Sequence, residues 1–230
     1  MPTTTIYWIL FLAIAIASWL VSYSLKRKFE RYSKESLPFT GCEIAERMLR
    51  ESGIKDVRVS CVRGHLTDHY NPVTKTVNLS DAVYHGANVA AAAVAAHECG
   101  HAVQHARAYA PLQMRSVLVP VVSLSSQWVS WILLMGMLLL GSNAGLVLLL
   151  IGIALYAMTT LFSFITLPVE VNASKRAVNW LQEAGITDRY TSEMASDALH
   201  SAAYTYVVAA LSSLATLVYY ILIFLGGSRK

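Results

Sequence analysis

Four apolar stretches divide the 230-residue chain, and each is long enough to form a helix that crosses a bilayer. A membrane-spanning helix requires about 20 apolar residues. The first stretch has no basic residue before it and no small-residue cleavage site after it, so we interpret it as a retained anchor rather than a signal peptide. The four stretches are Ile6 to Leu25, Val117 to Leu140, Ala144 to Leu167 and Ala203 to Leu225.

The polar region after the first stretch begins with the pattern of a short amphipathic helix. Thr40 and Glu43 have the spacing of a capping box, in which each side chain bonds the backbone of the other residue. Apolar residues then recur on one helical face until Gly53, which is expected to end the helix.

Alternating apolar and polar residues in the same region predict a small hairpin or sheet. Residues 57–61 alternate, and the alternation resumes in Thr76–Ser80 after a turn at Asn71-Pro72. We interpret residues 68–70, just before that turn, as structural turn chemistry. Thr76–Ser80 is either an edge strand that accepts an extended substrate by strand addition or a plain strand of the sheet.

Two further segments favour helix and carry the residues of most chemical interest. The run from Asn88 to Arg107 is rich in alanine, and Asn88 is positioned to cap it. The second polar region opens at Pro168, which is tolerated in a first helical turn, and continues to a stop at Gly185.

Composition and charge indicate a membrane protein and argue against a nucleic-acid-binding protein. Hydrophobic residues make up 55% of the chain and charged residues only 14%, which is unusual for a soluble domain. The net charge of +4 is modest, and the basic residues form no single stripe. We therefore expect a lipid bilayer, and no nucleic acid, as a partner.

The distribution of basic residues predicts the orientation of the chain. Lys and Arg are enriched on the cytoplasmic side of membrane spans, and five of them lie within residues 26–34, whereas residues 1–5 contain none. The N-terminus is therefore expected outside. The predicted division is a transmembrane anchor at 1–25, a cytosolic region at 26–115, a transmembrane hairpin at 116–167, a cytosolic helix at 168–202 and a C-terminal transmembrane helix at 203–230.

The three cysteines argue against a disulfide framework. Cys42, Cys61 and Cys99 are an odd number and show no CxxC spacing, which also disfavours a cysteine-based zinc ribbon. A reducing compartment is the simpler interpretation, with Cys99 as a small packing residue of its helix.

His97, Glu98 and His101 form an HExxH motif on the alanine-rich helix. Residues four apart share a helical face, so both imidazoles can bind one ion while the glutamate holds a water molecule. Zinc lowers the pKa of such a water to about 7, and a carboxylate beside it can accept the proton as the hydroxide attacks a carbonyl. The pattern is short enough to occur by chance, but burying two histidines and a glutamate in an otherwise uncharged helix would be costly without a metal.

A catalytic zinc ion usually has three protein ligands, so the motif requires a third. His105 lies one turn beyond the motif and about 12 Å from His97 along the helix axis, at 1.5 Å per residue. One ion cannot easily bridge that distance. Gln104 and Arg107 occupy positions where a metzincin has Gly and His, which excludes that class. Glu170 is the better candidate, because it follows the transmembrane hairpin, lies on the same predicted side of the membrane as the motif and stands near the start of a predicted helix. A first-turn glutamate that stabilises the helix dipole would by itself be the commoner situation.

Several further segments give the chain a resemblance to a known family. They are Gly64–Pro72, Asn78–Ser80, Ala92–His105, Leu167–Ser174 and Ala202–Val207. In these segments the chain resembles the neutral zinc metallopeptidases of the YugP type, small bacterial membrane proteins similar to the membrane gluzincins of the HtpX and Ste24 types. The resemblance implies a zinc cofactor with Glu170 as the third ligand. It also implies that Ser174 stands where those relatives have an aspartate that orients a ligand histidine.

His200 and Tyr204 lie one helical turn apart at the start of the last apolar stretch. As hydrogen-bond donors they are candidates to stabilise the oxyanion of a tetrahedral intermediate. A core or interfacial role is the commoner alternative for such residues.

Together these features predict a mainly α membrane protein with about four transmembrane helices and a small α+β cytosolic gluzincin-like metallopeptidase domain. The expected activity is zinc-dependent hydrolysis of peptide bonds, with Glu98 as general base, in peptides or proteins that include membrane proteins. The expected location is the bacterial inner membrane, with the active site on the cytosolic side. The alternative is a non-catalytic, zinc-stabilised scaffold or partner-binding subunit, which would need no carboxylate base beside the metal.

Overall fold

Helices dominate the computed structural model, which describes residues 3–227. The ends of the first and last predicted segments, residues 1–2 and 228–230, lie outside the described residues. The helices are α1 (Thr3–Tyr32), α2 (Gly41–Glu51), α3 (Asp81–Tyr84), α4 (Val89–Ala106), α5 (Ala110–Leu138), α6 (Asn143–Glu183) and α7 (Arg189–Gly227). The strands are β1 (Arg58–Val62), β2 (His69–Asn71) and β3 (Thr76–Ser80).

Four helices of the described chain, α1, α5, α6 and α7, are long and apolar enough to cross a membrane. Large apolar side chains on them are exposed, among them Trp8 and Trp19 in α1 and Trp128 and Trp131 in α5. An exposed apolar surface of this kind suits contact with lipid rather than water. The predicted fold class, a mainly α membrane protein with a small α+β part, is confirmed.

The prediction that Pro168 begins a helix is wrong, because α6 continues through it from Asn143 to Glu183. Proline in a helix interior removes one backbone hydrogen bond and crowds the preceding turn, at a cost of about 3 kcal/mol. Ending one helix and starting another would instead leave up to four carbonyls and four amides without helical partners. Both flanking segments favour helix, so continuing through one proline loses fewer hydrogen bonds than stopping would.

The described chain divides into two compact units. The first contains Gln113–Leu167 with the described residues of Met1–Trp19 and Tyr206–Lys230, and the second contains Leu20–Leu112 and Pro168–Thr205. Every candidate site residue identified from the sequence falls in the second unit.

In the first unit, α5 and α6 pack closely at Gly136. A Cβ atom at Gly136 would stand 2.7 Å from the backbone nitrogen of Leu149, so a larger residue would force the two helices apart. Val129, Leu133 and Ile153 join Leu149 in a buried cluster on the same two helices. Small residues allow the close helix packing that is common in membranes.

The second unit has the larger apolar core, to which α2 and α4 both contribute. The predicted capping box begins α2, since the Glu43 backbone N–H donates to Thr40 Oγ1 and the Thr40 backbone N–H donates to Glu43 Oε2 over 2.8 Å. The apolar face that follows is buried against α4. The helix ends at Glu51, just before Gly53, whose φ of 77° lies in the left-handed region that favours glycine.

The alanine-rich helix α4 is buried along most of its length. Asn88 caps it as predicted, with its side-chain oxygen accepting from the backbone N–H of Ala91. Short alanine side chains let neighbouring elements approach the helix axis, which brings groups from other elements close to the HExxH face.

The sheet has the order β1-β3-β2, with β1 parallel and β2 antiparallel to β3. The interpretation of Thr76–Ser80 as an edge strand that accepts substrate is therefore wrong, because this segment is β3 and both of its edges are already paired. Of residues 68–70, which the sequence suggested to be structural turn chemistry, His69 and Tyr70 lie in β2. The Asn71 side chain closes the following turn by accepting from the backbone N–H groups of Val73 and Thr74. Alternation alone predicts a strand but not its neighbours.

Candidate metal centre

The two histidines of the HExxH motif lie on one face of α4. Their ring centroids are 4.8 Å apart and the rings are nearly perpendicular, at 84°. This arrangement follows from the four-residue spacing, which places the two side chains one above the other on a helix. The face therefore presents two imidazole nitrogens to a single point.

Glu170 of α6 reaches the same point. Its Oε2 atom lies 3.3 Å from His97 Nε2 and 3.6 Å from His101 Nε2. The three donor atoms all lie within 4.8 Å of one another. Because α6 is continuous, Glu170 lies in a helix interior and not in a first turn, so the helix-dipole explanation does not account for it. The structure thus brings the three predicted ligand residues together.

These donors fit a zinc ion in both chemistry and spacing. Two imidazoles and a carboxylate are a common ligand set for catalytic zinc, with bonds of about 2.0–2.2 Å. Donor atoms at that radius in a tetrahedral arrangement are about 3.4 Å apart, close to the two distances from Glu170. The Glu170 side chain is only 5% exposed, and a carboxylate buried to that extent normally requires a cationic or hydrogen-bonding partner.

The electrostatic environment of His101 favours positive charge. Burial by itself lowers the pKa of this imidazole, but a hydrogen bond from the ring to the Glu170 carboxylate and the negative charge of Glu98 outweigh that effect, so the pKa of His101 is raised above its ordinary value. The same carboxylates would attract a cation to this position.

Gln104 fixes the orientation of the His101 ring. Its Oε1 atom lies 3.1 Å from His101 Nδ1, while its Nε2 donates to the Val169 carbonyl and to Asn172 Oδ1. Since the Gln104 amide nitrogen is engaged, its oxygen must accept, and His101 Nδ1 must carry the proton. The lone pair of His101 is then on Nε2, the atom that faces Glu170.

Ser174 makes the corresponding contact with His97. Its Oγ atom lies 3.1 Å from His97 Nδ1, and the residue is buried at 6% exposure. Ser174 follows Glu170 by one helical turn, so a single face of α6 supplies both the third candidate ligand and a partner for a histidine.

The sequence analysis did not identify Gln104 as a partner of His101, nor Asn172 as a partner of Gln104. Gln104 entered the sequence argument only as the position where a metzincin would have glycine, yet it is completely buried. Asn172 accepts from Gln104 and also from Arg176 Nε, which links the HExxH helix to α6. Its spacing could have identified it, because Gln104 lies three residues after His101 and therefore shares a helical face with it.

Glu98 is held by the sheet rather than by a charged group. Its Oε2 atom accepts from the backbone N–H of Tyr70 in β2 over 2.9 Å, which leaves the other carboxylate oxygen without that bond. The Tyr70 hydroxyl in turn lies 3.0 Å from His105 Nδ1, so His105 supports the sheet contact. Asp68 anchors the same region by accepting from the backbone N–H of Ser80.

Cys99, between the motif residues, is a packing residue as expected from the sequence. It is completely buried, and its thiol donates to the Ala45 carbonyl. Burial raises the pKa of the Cys99 thiol, which keeps it protonated and unreactive.

The two candidate oxyanion donors, His200 and Tyr204, lie in different surroundings. His200 lines a cavity of about 300 Å³ between α6 and α7, together with Ser174. Tyr204, one turn further along α7, is 59% exposed and lies outside the residues that line this cavity. Ser174 also contacts His97, whereas none of the three candidate ligands lines this cavity.

The chain is similar to known proteins over nearly its whole length. Residues 7–225 match a protein family described as "Putative neutral zinc metallopeptidase". The "Putative membrane protease YugP" of Bacillus subtilis (strain 168) is 42% identical over 217 residues, which cover 94% of this chain and 94% of that protein. No solved structure matches the chain.

Proposed function

Because the chain belongs to the neutral zinc metallopeptidase family, we propose that it hydrolyses peptide bonds at a zinc ion held by His97, His101 and Glu170. The observation that carries the proposal is the convergence of these three buried donors from two helices, with separations near those of a tetrahedral site. The hydrogen bonds of Gln104 and Ser174 to the two rings support it, since ligand histidines usually bond a neighbouring group through their other nitrogen.

Glu98 is the proposed general base. When bound, zinc would lower the pKa of a water molecule and polarise the substrate carbonyl. Glu98 takes a proton from the attacking water and returns it to the leaving amide nitrogen, so that one carboxylate serves both halves of the reaction. The Tyr70 backbone N–H holds one oxygen of Glu98 in place and leaves the other to accept this proton.

His200 is the better placed of the two proposed oxyanion donors, because it lines the cavity that reaches Ser174. Its replacement by Ala should lower kcat and leave zinc content unchanged. An unchanged kcat would assign the oxyanion role to another group, Tyr204 included.

We propose that the substrates are peptides or proteins, including membrane proteins, and that the active site faces the cytosol of a bacterial inner membrane. The five basic residues within 26–34 support this orientation.

The orientation can be tested by labelling at Val73, which is 90% exposed in the turn before β3. In a Cys42→Ser, Cys61→Ser background, a membrane-impermeant maleimide should label Val73→Cys only after the cells are permeabilised. Labelling of intact cells would reverse the orientation.

The decisive experiment separates metal binding from turnover. Full-length protein in detergent is assayed for zinc per chain and for cleavage of casein. Glu98→Gln should keep the zinc and lose activity by about 10²–10⁴-fold, the usual contribution of a general base. Glu170→Ala should lower the zinc content by the ion that His97, His101 and Glu170 bind, whereas Glu183→Ala, on the same helix, should lose neither zinc nor activity.

The non-catalytic alternative, a zinc-stabilised scaffold or partner-binding subunit, predicts a different result. A purely structural metal site has no need of a carboxylate base, so Glu98→Gln would then keep its zinc with no activity to lose, because the wild type itself would cleave no substrate.

A further inference from the structure

A second group of metal-binding side chains lies outside the HExxH site. Cys61, Asp81 and His85 each offer one donor atom, and these atoms lie within 4.8 Å of one another. We call these three residues the Cys61 cluster. All three are exposed, which distinguishes the cluster from the buried site formed by α4 and α6.

The parallel pairing of β1 with β3 creates this cluster. Cys61 in β1 is paired with Leu79, two residues before Asp81. Asp81 is the first residue of α3, which directly follows β3, and His85 follows it by four residues. Four-residue spacing places Asp81 and His85 on one face of the turn. The end of β1 therefore lies beside that face, and each side chain comes from a well-defined backbone position.

The spacing within the cluster suits an ion better than direct hydrogen bonds. Asp81 Oδ1 lies 4.0 Å from Cys61 Sγ and 3.8 Å from His85 Nε2. The second separation exceeds a nitrogen–oxygen hydrogen bond, and the first is at the outer limit for a thiol. Zinc bonds of about 2.0 Å to oxygen and nitrogen and 2.3 Å to sulfur place the donors about 3.3–3.6 Å apart in a tetrahedral arrangement. For these two pairs, rotation of the exposed side chains can close the remaining few tenths of an ångström, and the same rotation brings Cys61 Sγ and His85 Nε2, which lie within 4.8 Å of each other, closer together.

The chemistry of the three donors also matches zinc. Thiolate, imidazole and carboxylate are its three common protein ligands. When an ion is bound, a thiolate, a carboxylate and a neutral imidazole would together supply two negative charges, which balance a divalent cation. Its exposure leaves a fourth position for water.

We propose that Cys61, Asp81 and His85 bind a zinc ion separate from the catalytic one. The bound ion links the end of β1 to α3 and shields the Cys61 thiolate from oxidants and alkylating agents. This inference is independent of the proposed peptidase activity, because none of the three residues belongs to the HExxH site.

Cobalt distinguishes the two sites, since a thiolate ligand gives Co²⁺ a charge-transfer absorption in the near ultraviolet and the His–His–Glu site has no sulfur donor. Full-length protein in detergent, loaded with Co²⁺, should show this band. Cys61→Ser should abolish it and reduce the zinc content by one ion per chain, while casein cleavage stays unchanged. Cys42→Ser, the matched control at a half-buried thiol, should keep the band. A wild type without the band, or a band that survives in Cys61→Ser, would overturn the proposal.

Alkylation gives a second measurement that needs no variant of Cys61 itself. Peptide mapping should find that saturating Zn²⁺ slows maleimide modification of Cys61 at least tenfold, and that a chelator restores the rate. His85→Gln should remove this protection, whereas the rate at Cys42 should not respond to zinc. Equal rates at Cys61 with and without zinc would show that the cluster holds no ion.

Discussion

A Cβ atom at Gly100 would stand 2.8 Å from the backbone carbonyl oxygen of Ala173 and 3.2 Å from its Cα. This is closer than side-chain atoms approach a neighbouring backbone, so α4 and α6 pack here with nothing between them. Gly100 directly precedes His101, and Ala173 lies three residues after Glu170. The short distances between the histidines and the carboxylate therefore depend on this contact.

Replacing Gly100 by Val should separate the two helices and weaken zinc binding. The atom facing the new side chain is backbone and cannot rotate away, so we expect a loss of about 1–3 kcal/mol in stability together with a lower zinc content. Metal analysis and thermal unfolding of the detergent-solubilised protein measure the two effects. Gly226→Ala is the control, since a Cβ there meets nothing within 4 Å. If Gly100→Val retained full zinc occupancy, the close contact would not be what sets the ligand distances.

Gln104→Ala should weaken zinc binding without removing a ligand. The substitution deletes the acceptor that keeps the proton on His101 Nδ1 and removes one of the two donors to Asn172 Oδ1. Loss of such an orienting group typically costs 10–100-fold in metal affinity. Competition with a chelator of known affinity measures the change, and Gln182→Ala, an exposed position on α6, provides the comparison. An affinity equal to that of wild type would mean that packing alone orients the His101 ring.

Two substitutions of Ser174 should change the zinc affinity in opposite directions. Ser174→Ala removes the partner of His97 Nδ1 and should lower zinc affinity, while Ser174→Asp supplies a stronger, charged acceptor and should restore or raise it. The same chelator competition distinguishes these outcomes. Equal affinities in the two variants would exclude an orienting role for position 174.

Local signals in the sequence predicted local structure well. The Thr40–Glu43 capping box and the Asn88 cap are both present, because each depends only on residues three apart. The HExxH histidines share a face for the same reason. Their convergence with Glu170 is different in kind, since it joins residues about 70 positions apart and was expected only from the resemblance and the order of the spans.

The predictions that were wrong or incomplete concern residues whose structure depends on contacts with segments far away in the sequence. Pro168 is a frequent helix start, but two strongly helical flanks carry α6 through it. Thr76–Ser80 alternates as an edge or a central strand would, and only its pairing with both β1 and β2 makes it central. Gln104 was overlooked because its function depends on Val169 and Asn172 of another helix. Periodicity contains no information about such contacts.

Within the second unit, Asp197 of α7 is hydrogen-bonded to two residues near the end of α1. Its two oxygens accept from Lys28 Nζ over 2.7 Å and from the Tyr32 hydroxyl over 2.6 Å, and Lys28 also donates to Ser201 Oγ. Tyr32 is buried at 6% exposure, so its hydroxyl would lose its acceptor if Asp197 were replaced.

Asp197→Ala should therefore lower the free energy of unfolding by about 1–3 kcal/mol, the range for leaving a buried donor unsatisfied. The zinc content should stay that of wild type, because Asp197 contacts none of the candidate ligands through these bonds. The matched control is Glu193→Ala, which breaks an exposed ion pair with Arg189 on the same helix and should change stability by less than about 1 kcal/mol. Chemical denaturation in detergent measures both variants, and equal losses for the two would mean that Asp197 contributes no more than a surface charge.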